Sequence, residues 1–288
     1  MKKIKEFLVE NSIRLSGIII ILVVILIFIF LFKNAIALFQ SYSLKEFLTG
    51  KQWYPISEPP KFGIVPLLLG SLLVTVGASI ISIPLGISCA VFISEIAPQF
   101  LKDTLKALIE LLAAIPSVVL GFVGMVTLVP FIRSVFNLPT GLTALSGSIM
   151  LALMAMPTIV SIAEDALNAV PKAYKEGAYA LGATKWQVIH RVILPAAFPG
   201  LVAAIMLGIG RVIGETMAVM MITGNAARIP HSFLEPVRTM TATIAAEMGE
   251  TVRGDLHYFA LFAIGLVLFL ITFFINLIAD IALNRSRR

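Results

Sequence analysis

The chain has 288 residues, of which 59% are hydrophobic and only 13% are charged, against roughly 25% charged in an average soluble domain. Together with a mean hydropathy of +0.99, these values exclude a soluble globular fold. The net charge of +6 is typical of a membrane protein with basic loops on one side, so it does not require a nucleic-acid partner. The single cysteine, Cys89, excludes an internal disulfide and a cysteine-based metal site.

The hydrophobic residues fall in blocks long enough to cross a hydrocarbon core of ~30 Å, which takes about 20 apolar residues as a helix. Such blocks form helices, because unsatisfied backbone groups are prohibitive in lipid and no short alternating pattern indicates a barrel. We therefore predict an all-α polytopic bundle of six transmembrane helices. The predicted spans are residues 15–32, 64–93, 105–130, 141–163, 196–223 and 258–281.

Lysine and arginine indicate the orientation, because short cytoplasmic loops carry an excess of both. An even number of spans places both termini on one side, and most basic residues lie in the two tails or in loops on that same side. They are Lys2, Lys3, Lys5, Arg14, Lys102, Lys106, Lys172, Lys175, Lys185, Arg191, Arg285, Arg287 and Arg288. Both termini are predicted to be cytoplasmic. The first span is predicted to be retained, because its apolar core is longer than that of a signal peptide and no small-residue cleavage site follows.

The early spans are interrupted by turn-forming residues. The polar segment 34–62 contains Trp53, Tyr54 and several prolines, which predicts an external linker with interfacial aromatics. The second span is longer than the bilayer requires and contains Pro84, which predicts a tilt or a kink. In the third span, Pro116 predicts a bend that is either a packing kink or a gate.

A long polar segment, residues 171–195, follows the fourth span. Pro171 can open a helix, and Gly182 can adopt the conformation that ends it. A second helix then begins at Thr184, because Gln187 three residues later completes a capping-box pattern. Its predicted apolar side consists of Trp186, Val188, Ile189, Val192 and Ile193. Two short helices outside the membrane could fill a groove on another protein, or they could lie on the membrane surface.

This segment resembles the EAA loop of ABC importer permeases, whose pattern is Glu-Ala-Ala, three residues, Gly, nine residues, an aliphatic residue, one further residue and Leu-Pro. The matching positions are Glu176, Ala178, Gly182, Val192, Leu194 and Pro195. The spacing is intact, and the departure is Gly177 in place of the first alanine, which weakens local helicity by roughly 1 kcal/mol. The resemblance implies a fold like that of the type I importer permeases and a loop that docks into a cleft of a nucleotide-binding subunit.

Nucleotide chemistry is not predicted for this chain itself, because it lacks a G-x-x-x-x-G-K-[ST] phosphate loop. We expect it to be no enzyme and to bind no cofactor, with ATP and Mg²⁺ held by a partner ATPase. An intramembrane enzyme is an alternative, but it would need paired acidic residues, a Ser–His pair or a metal cluster in the bilayer, and the three histidines are scattered. A passive channel would not explain the EAA spacing.

The fifth predicted span carries two charges, and a charge inside a membrane costs about 2.5–3.5 kcal/mol, which suggests a function. Arg211 and Glu215 are four residues apart in GRVIGETMAVMMITGN, so on one helix face they can pair. Gly208, Gly210 and Gly214 are predicted to let another helix approach closely.

That span, together with FGIVPLLLGSLLVT from Phe62, ELLAAIPSVVLGFVG from Glu110 and the external stretch RTMTATIAAEMGE, resembles the PstC-type permeases of phosphate importers. The resemblance extends from about Trp53 to the end of the last span. It implies a multi-pass subunit of the inner membrane that forms half of a translocation path. The implied partners are a PstA-type permease, a dimer of PstB-type ATPase subunits and a periplasmic PstS-type phosphate-binding protein. Residues 1–62 would hold the tail, first span and linker, and residues 63–283 the permease core.

Phosphate chemistry fits the charged residues, because a guanidinium is planar, permanently charged and rich in donors for an oxyanion. Arg211 is the first candidate for the translocation path, with Glu215 neutralising it while the path is empty; a static ion pair that fixes helix rotation is the alternative. Arg238 in the external loop is a second path candidate, although it could instead contact the binding protein. A permease for molybdate or sulfate is the nearest alternative function.

Overall fold

The computed structural model describes residues 2–286, and it describes side chains for residues 9–278 and Ile281. Met1, Arg287 and Arg288 lie outside the described residues. The side chains of Lys2, Lys3, Lys5 and Arg285, which the predicted orientation also uses, lie outside the described side chains.

Nearly all of residues 2–286 is helical, apart from connecting loops and one two-stranded antiparallel hairpin. The elements are α1 (Lys2–Phe39), α2 (Leu44–Thr49), β1 (Trp53–Tyr54), β2 (Lys61–Phe62), α3 (Val65–Val91), α4 (Gln99–Ala114), α5 (Ser117–Val135), α6 (Ala144–Asn168), α7 (Lys172–Ala180), α8 (Lys185–Val188), α9 (Leu194–Gly214), α10 (Met217–Ile222), α11 (Met240–Glu247) and α12 (Leu256–Ser286), with π-helical turns at Phe92–Ile96 and Ile189–Ile193.

Six helical stretches within residues 2–286 are long and apolar enough to cross a membrane, which confirms the predicted number and the all-α class. They are Val9–Phe39, Val65–Ile96, Ser117–Val135, Ala144–Asn168, Lys185–Gly214 and Leu256–Ile278. Four of the six correspond to predicted spans with shifted ends. The third and fifth predicted spans instead contain breaks in the helix that were not predicted.

The third predicted span, residues 105–130, is wrong, because the chain breaks at Pro116. Ile115 (φ −69°, ψ 127°) and Pro116 (φ −59°, ψ 140°) are both extended, since proline offers no N–H and pushes the preceding residue out of the helical region. Only α5, beyond the break, qualifies as a span. The helix before it, α4, carries charged residues throughout, so the proline separates two helices and does not merely bend one.

The fifth predicted span, residues 196–223, is also wrong at both ends. The helix begins at Lys185, because α8, the π turn and α9 follow one another without a break through Pro195. The second loop helix is therefore continuous with the span and not separate from it. At the other end, α9 stops at Gly214, because Glu215 is extended (φ −70°, ψ 132°), and the short helix α10 follows.

The centre of the bundle is formed by α3 and α6, which run parallel. Ser148 donates to the carbonyl of Val74 at one end, and Ser94 donates to Asn168 at the other. We call the end that carries Ser94, α4, α7 and α8 the α7 end. The opposite end, which carries α2, the hairpin and α11, is the α11 end.

Close helix packing at the centre depends on Ile159 of α6, which is fully buried. A methyl group at Gly86 of α3 would lie 2.7 Å from this side chain, and one at Gly208 of α9 would lie 2.4 Å from it. The absence of a side chain at both glycines therefore lets three spans meet around one isoleucine. This confirms the expected close approach at Gly208.

The predicted linker packs as part of the fold. Trp53 is 2% exposed, and it joins a core formed by α1, the hairpin, α3 and α12. Trp53 is therefore held inside the fold, whereas the neighbouring Tyr54 is 55% exposed; the depth of both aromatics relative to the membrane stays a prediction. The Trp53 indole N–H has a partly buried acceptor on α11, which allows the ring to be buried.

Candidate functional site

The EAA-like segment forms a helix–turn–helix at the α7 end. α7 ends at Ala180, and Gly182 has a φ of +82°, a left-handed conformation that glycine adopts without strain. Thr184 then caps α8: its side chain accepts from the Gln187 N–H, and the Gln187 side chain accepts from the Thr184 N–H at 2.8 Å. The predicted first helix, glycine turn and capping box are confirmed, and the second helix begins at the predicted position but continues into the span.

The second loop helix has the predicted apolar side, with one exception. Val188, Ile189 and Ile193 are buried in a core shared with α3, α6 and α9. Trp186, in contrast, is 67% exposed and stacks on His190 with the rings nearly parallel. Trp186 lies in the first turn of α8, outside that core, so its ring is left at the surface.

The loop presents an apolar surface to the outside of the bundle, which we call the loop patch. It consists of Tyr174, Tyr179, Leu181 and Trp186, each of which is exposed. Leu181 is 90% exposed and directly precedes the glycine turn. Large exposed apolar side chains close together in the sequence, at and before the start of the fifth span, are typical of an interaction surface.

The EAA positions divide between the loop surface and the core. Ala178 and Leu194 pack partly against the core that holds α8, and Val192 is half-buried. Glu176, Gly182 and Pro195 are exposed. Methyl groups at Gly177 and Gly182 would meet no atom within 4 Å, so the space beside both glycines is open.

The two charges of the fifth span are not paired. Glu215 lies in the break after α9, and its Oε1 accepts from the backbone N–H groups of the first residues of α10 at 3.1–3.3 Å. Among the ion pairs formed by the described side chains, none includes Arg211 or Glu215. The predicted Arg211–Glu215 pair is therefore wrong, because the helix on which their spacing was counted ends between them and the carboxylate caps the next helix.

Arg211 lies on an exposed face of α9 that is lined by small residues. Leu207 is 55% exposed, and methyl groups at Gly210 and Gly214 would meet no atom within 4 Å. The expectation that these two glycines pack against another helix is thus wrong within the described chain, although it holds for Gly208. Within the described chain, this face of α9 presents a cation beside open space.

A partly buried charge cluster at the α11 end includes Arg238. Glu247, whose side chain is 12% exposed, accepts from Arg238 Nη1 and from the Trp53 indole at 3.1 Å. Oε1 faces Arg238, whereas Oε2, which accepts from Trp53, also lies 2.8 Å from His257 Nε2. This carboxylate therefore joins β1, the loop before α11, α11 itself and α12.

Burial acts to raise the pKa of Glu247, but hydrogen bonds from His257 and Trp53, together with the charge of Arg238, outweigh it and hold the pKa below its ordinary value. Sequence reasoning missed Glu247 and His257. Both lie in or beside the stretch 238–250, but nine and nineteen positions separate them from Arg238, and no local periodicity indicates such a contact.

The chain matches known transport proteins over most of its length. Residues 82–288 match the family described as binding-protein-dependent transport system inner membrane component. A probable ABC transporter permease, YqgH of Bacillus subtilis, is 45% identical over 84% of this chain and 78% of its own. The phosphate transport system permease protein PstC of Mesorhizobium japonicum is 40% identical over 83% and 78%, and a probable PstC of Methanocaldococcus jannaschii is 31% identical over 89% and 86%.

Solved structures show the same fold at lower identity. The inward-facing MetNI methionine ABC transporter has a chain that aligns with a TM-score of 0.61 and 22% identity, over 81% of this chain and all of that one. A bacterial ABC transporter involved in alginate import aligns with a TM-score of 0.59 and 16% identity, over 78% and 79%. The architecture is therefore that of the membrane subunits of type I ABC importers.

Proposed function

This chain belongs to the family of binding-protein-dependent transport inner membrane components, among the PstC permeases, and we propose that it is the permease subunit of an ATP-driven phosphate importer. It is a multi-pass membrane protein with six spans. In the proposed complex it forms one half of the translocation path and docks an ATPase at the α7 end.

The observation that carries the proposal is the exposed arginine within a span. Arg211 lies in the last turn of α9, on a face where Gly210 and Gly214 leave open space. Because a charge facing lipid costs about 2.5–3.5 kcal/mol, this face is expected to meet water or protein. A guanidinium there can bind an oxyanion through two parallel hydrogen bonds, which fits phosphate and the phosphate transport for which the PstC relatives are named.

The loop patch supports the ATPase role. Its aromatic and aliphatic side chains are displayed on a helix–turn–helix, a form that can enter a groove on another protein. We assign Glu176, Ala178, Gly182, Val192, Leu194 and Pro195 to this contact. ATP and Mg²⁺ would be held by a dimer of PstB-type subunits, and both termini of this chain would lie on the same, cytoplasmic side.

The other proposed partners follow from the remaining surfaces. A PstA-type permease would face the open side of α9 and enclose the path with it. A PstS-type binding protein would deliver phosphate at the α11 end, where Arg238 is a second candidate contact. Arg238 donates to Glu247 from Nη1 and to Asn225 from Nε, so an anion would be bound by the remaining N–H groups of the guanidinium.

Transport would proceed by alternating access. ATP binding closes the ATPase dimer, the docked loops move with it, and the spans open outward to receive phosphate from the binding protein. Hydrolysis resets the spans inward. Because α8 is continuous with α9, movement of the loop would be passed directly to the helix that carries Arg211.

The test is phosphate uptake by the assembled importer in proteoliposomes. Arg211→Gln should abolish uptake while the complex still assembles, and Arg211→Lys should retain partial uptake, because lysine keeps the charge but loses the planar fork. Normal uptake by Arg211→Gln would refute the path assignment. Uptake of sulfate or molybdate in place of phosphate would reassign the cargo while leaving the permease role intact.

A further inference from the structure

The loop helix α7 is joined to the end of the α3 segment by an ion pair. Lys175 Nζ of α7 lies 2.6 Å from Glu95 Oε1, which belongs to the π turn that continues α3. The two side chains are only 23% and 11% exposed. α7 has no buried residue of its own, so this pair is a larger part of its attachment than a surface ion pair would be.

Glu95 is also part of a polar network across the α7 end. Ser94 Oγ lies 3.1 Å from Glu95 and 2.8 Å from Asn168 Oδ1 at the end of α6. The Asn168 amide donates to Glu164 at 2.7 Å, and Lys106 of α4 donates to the same carboxylate at 3.0 Å. The hydrogen bonds thus connect α7, through the ends of α3 and α6, to α4.

From this geometry we propose that the Lys175–Glu95 pair is a strut that transmits displacement of α7 to α3 and α6. The inference rests on the proposed function, in which a docked ATPase moves α7. The second loop helix reaches α9 through the chain itself, whereas α7 is separated from α9 by the glycine turn. The strut therefore connects α7 directly to the end of the α3 segment and, through Ser94 and Asn168, to α6, so that loop movement reaches three spans together.

In the proposal the ion pair transmits movement and contacts neither ATP nor phosphate. Its loss should therefore weaken the coupling between ATP hydrolysis and phosphate transport. In the assembled importer in proteoliposomes, Lys175→Gln should retain the ATPase and its hydrolysis rate but lower the phosphate carried per ATP hydrolysed by several-fold. Lys175→Arg keeps the charge and should restore most of that ratio. Lys172→Gln, an exposed lysine of the same helix, is the matched control and should leave the ratio unchanged.

Glu95→Gln provides the same test from the other side, since it keeps the shape and removes the charge. An unchanged transport ratio in both neutral variants, or an equal loss in Lys172→Gln, would overturn the strut. A lower phosphate-to-ATP ratio in Lys175→Gln that is not restored in Lys175→Arg would also count against the strut. Failure of the proposed function is visible separately, because the parent complex would then retain no ATPase or carry no phosphate before any variant is compared.

Discussion

The glycine turn of the loop provides a sharp test of ATPase docking, because the chain offers two glycines that differ in one property. Methyl groups at Gly177 and Gly182 would both meet no atom within 4 Å, so neither substitution creates a clash. Gly182 has a φ of +82°, and Gly177 lies inside α7. The pair therefore separates the effect of backbone conformation from the effect of an added side chain.

The two alanine substitutions are expected to change the free energy of the observed loop conformation in opposite directions. Alanine at Gly182 must adopt a left-handed conformation, which costs about 1–2 kcal/mol. Alanine at Gly177 favours the helix by up to about 1 kcal/mol. If the ATPase binds the loop in the observed conformation, Gly182→Ala should weaken docking by about 5–30-fold, and Gly177→Ala should leave it unchanged or tighten it slightly.

The assay is titration of the purified permease with its ATPase, with gel filtration of each variant as a control for folding. Phosphate uptake measured in parallel should follow the docking affinity. Equal affinity of the two alanine variants would refute the reasoning, because the left-handed backbone at Gly182 and the gain in helix propensity at Gly177 both predict weaker docking by Gly182→Ala. Weaker docking in Gly177→Ala alone would show that the open face of α7, and not the turn, makes the contact.

Two further predictions concern stability of the isolated chain, read as the thermal midpoint in detergent. Glu247→Gln removes the charge that compensates Arg238 at a partly buried site and should cost about 1–3 kcal/mol, whereas the exposed Glu250→Gln should change little. Because the pKa of Glu247 is lowered in the folded chain, its contribution to the free energy of unfolding is complete above the ordinary glutamate pKa of about 4.3 and is lost as the pH falls through the lower folded value. If Glu247→Gln and the parent lost the same amount of stability on acidification, this reasoning would be contradicted. Gly208→Ala forces a methyl group against Ile159 and should lower stability by about 1–3 kcal/mol. Gly210→Ala, in open space, should be neutral. Equal thermal midpoints for the two variants would show that α9 can move away from α6 without loss of stability.

The sequence predicted features that depend on local chemistry. Six hydrophobic blocks identified six spans, because burial in lipid requires length and apolarity that composition alone reveals. The helix–turn–helix of the loop was predictable as well, since Gly182 and the capping pair at Thr184 and Gln187 act within a few residues. Local rules were sufficient wherever the partners of a residue are its neighbours in the chain.

The breaks in the third and fifth spans show where hydropathy stops being informative. Residues around Pro116 and Glu215 are apolar enough to continue a span, but the backbone is extended at both. Proline at 116 allowed a bend to be predicted, though not a complete break. The Glu215 carboxylate does not pair with Arg211, because it accepts hydrogen bonds from N–H groups at the start of the next helix.

Long-range contacts could not be predicted. Trp53 and Glu247 are 194 residues apart and share a hydrogen bond, and Lys175 meets Glu95 across 80 residues. Such pairs depend on which helices pack together. A single sequence does not contain that information in its periodicity.

The uninterrupted helix from Lys185 to Gly214 has a mechanical consequence. Its 30 residues extend about 45 Å at 1.5 Å per residue, from the loop patch at one end to Arg211 at the other. With Ile159 packed against Gly208, α6 is placed to act as a fulcrum about 35 Å from Lys185 and only about 4.5 Å from Arg211 along the helix axis. A tilt of about 10° would then move the loop end by about 6 Å and the arginine by less than about 1 Å. Large displacements of the loop would thus become fine adjustments of the position of Arg211.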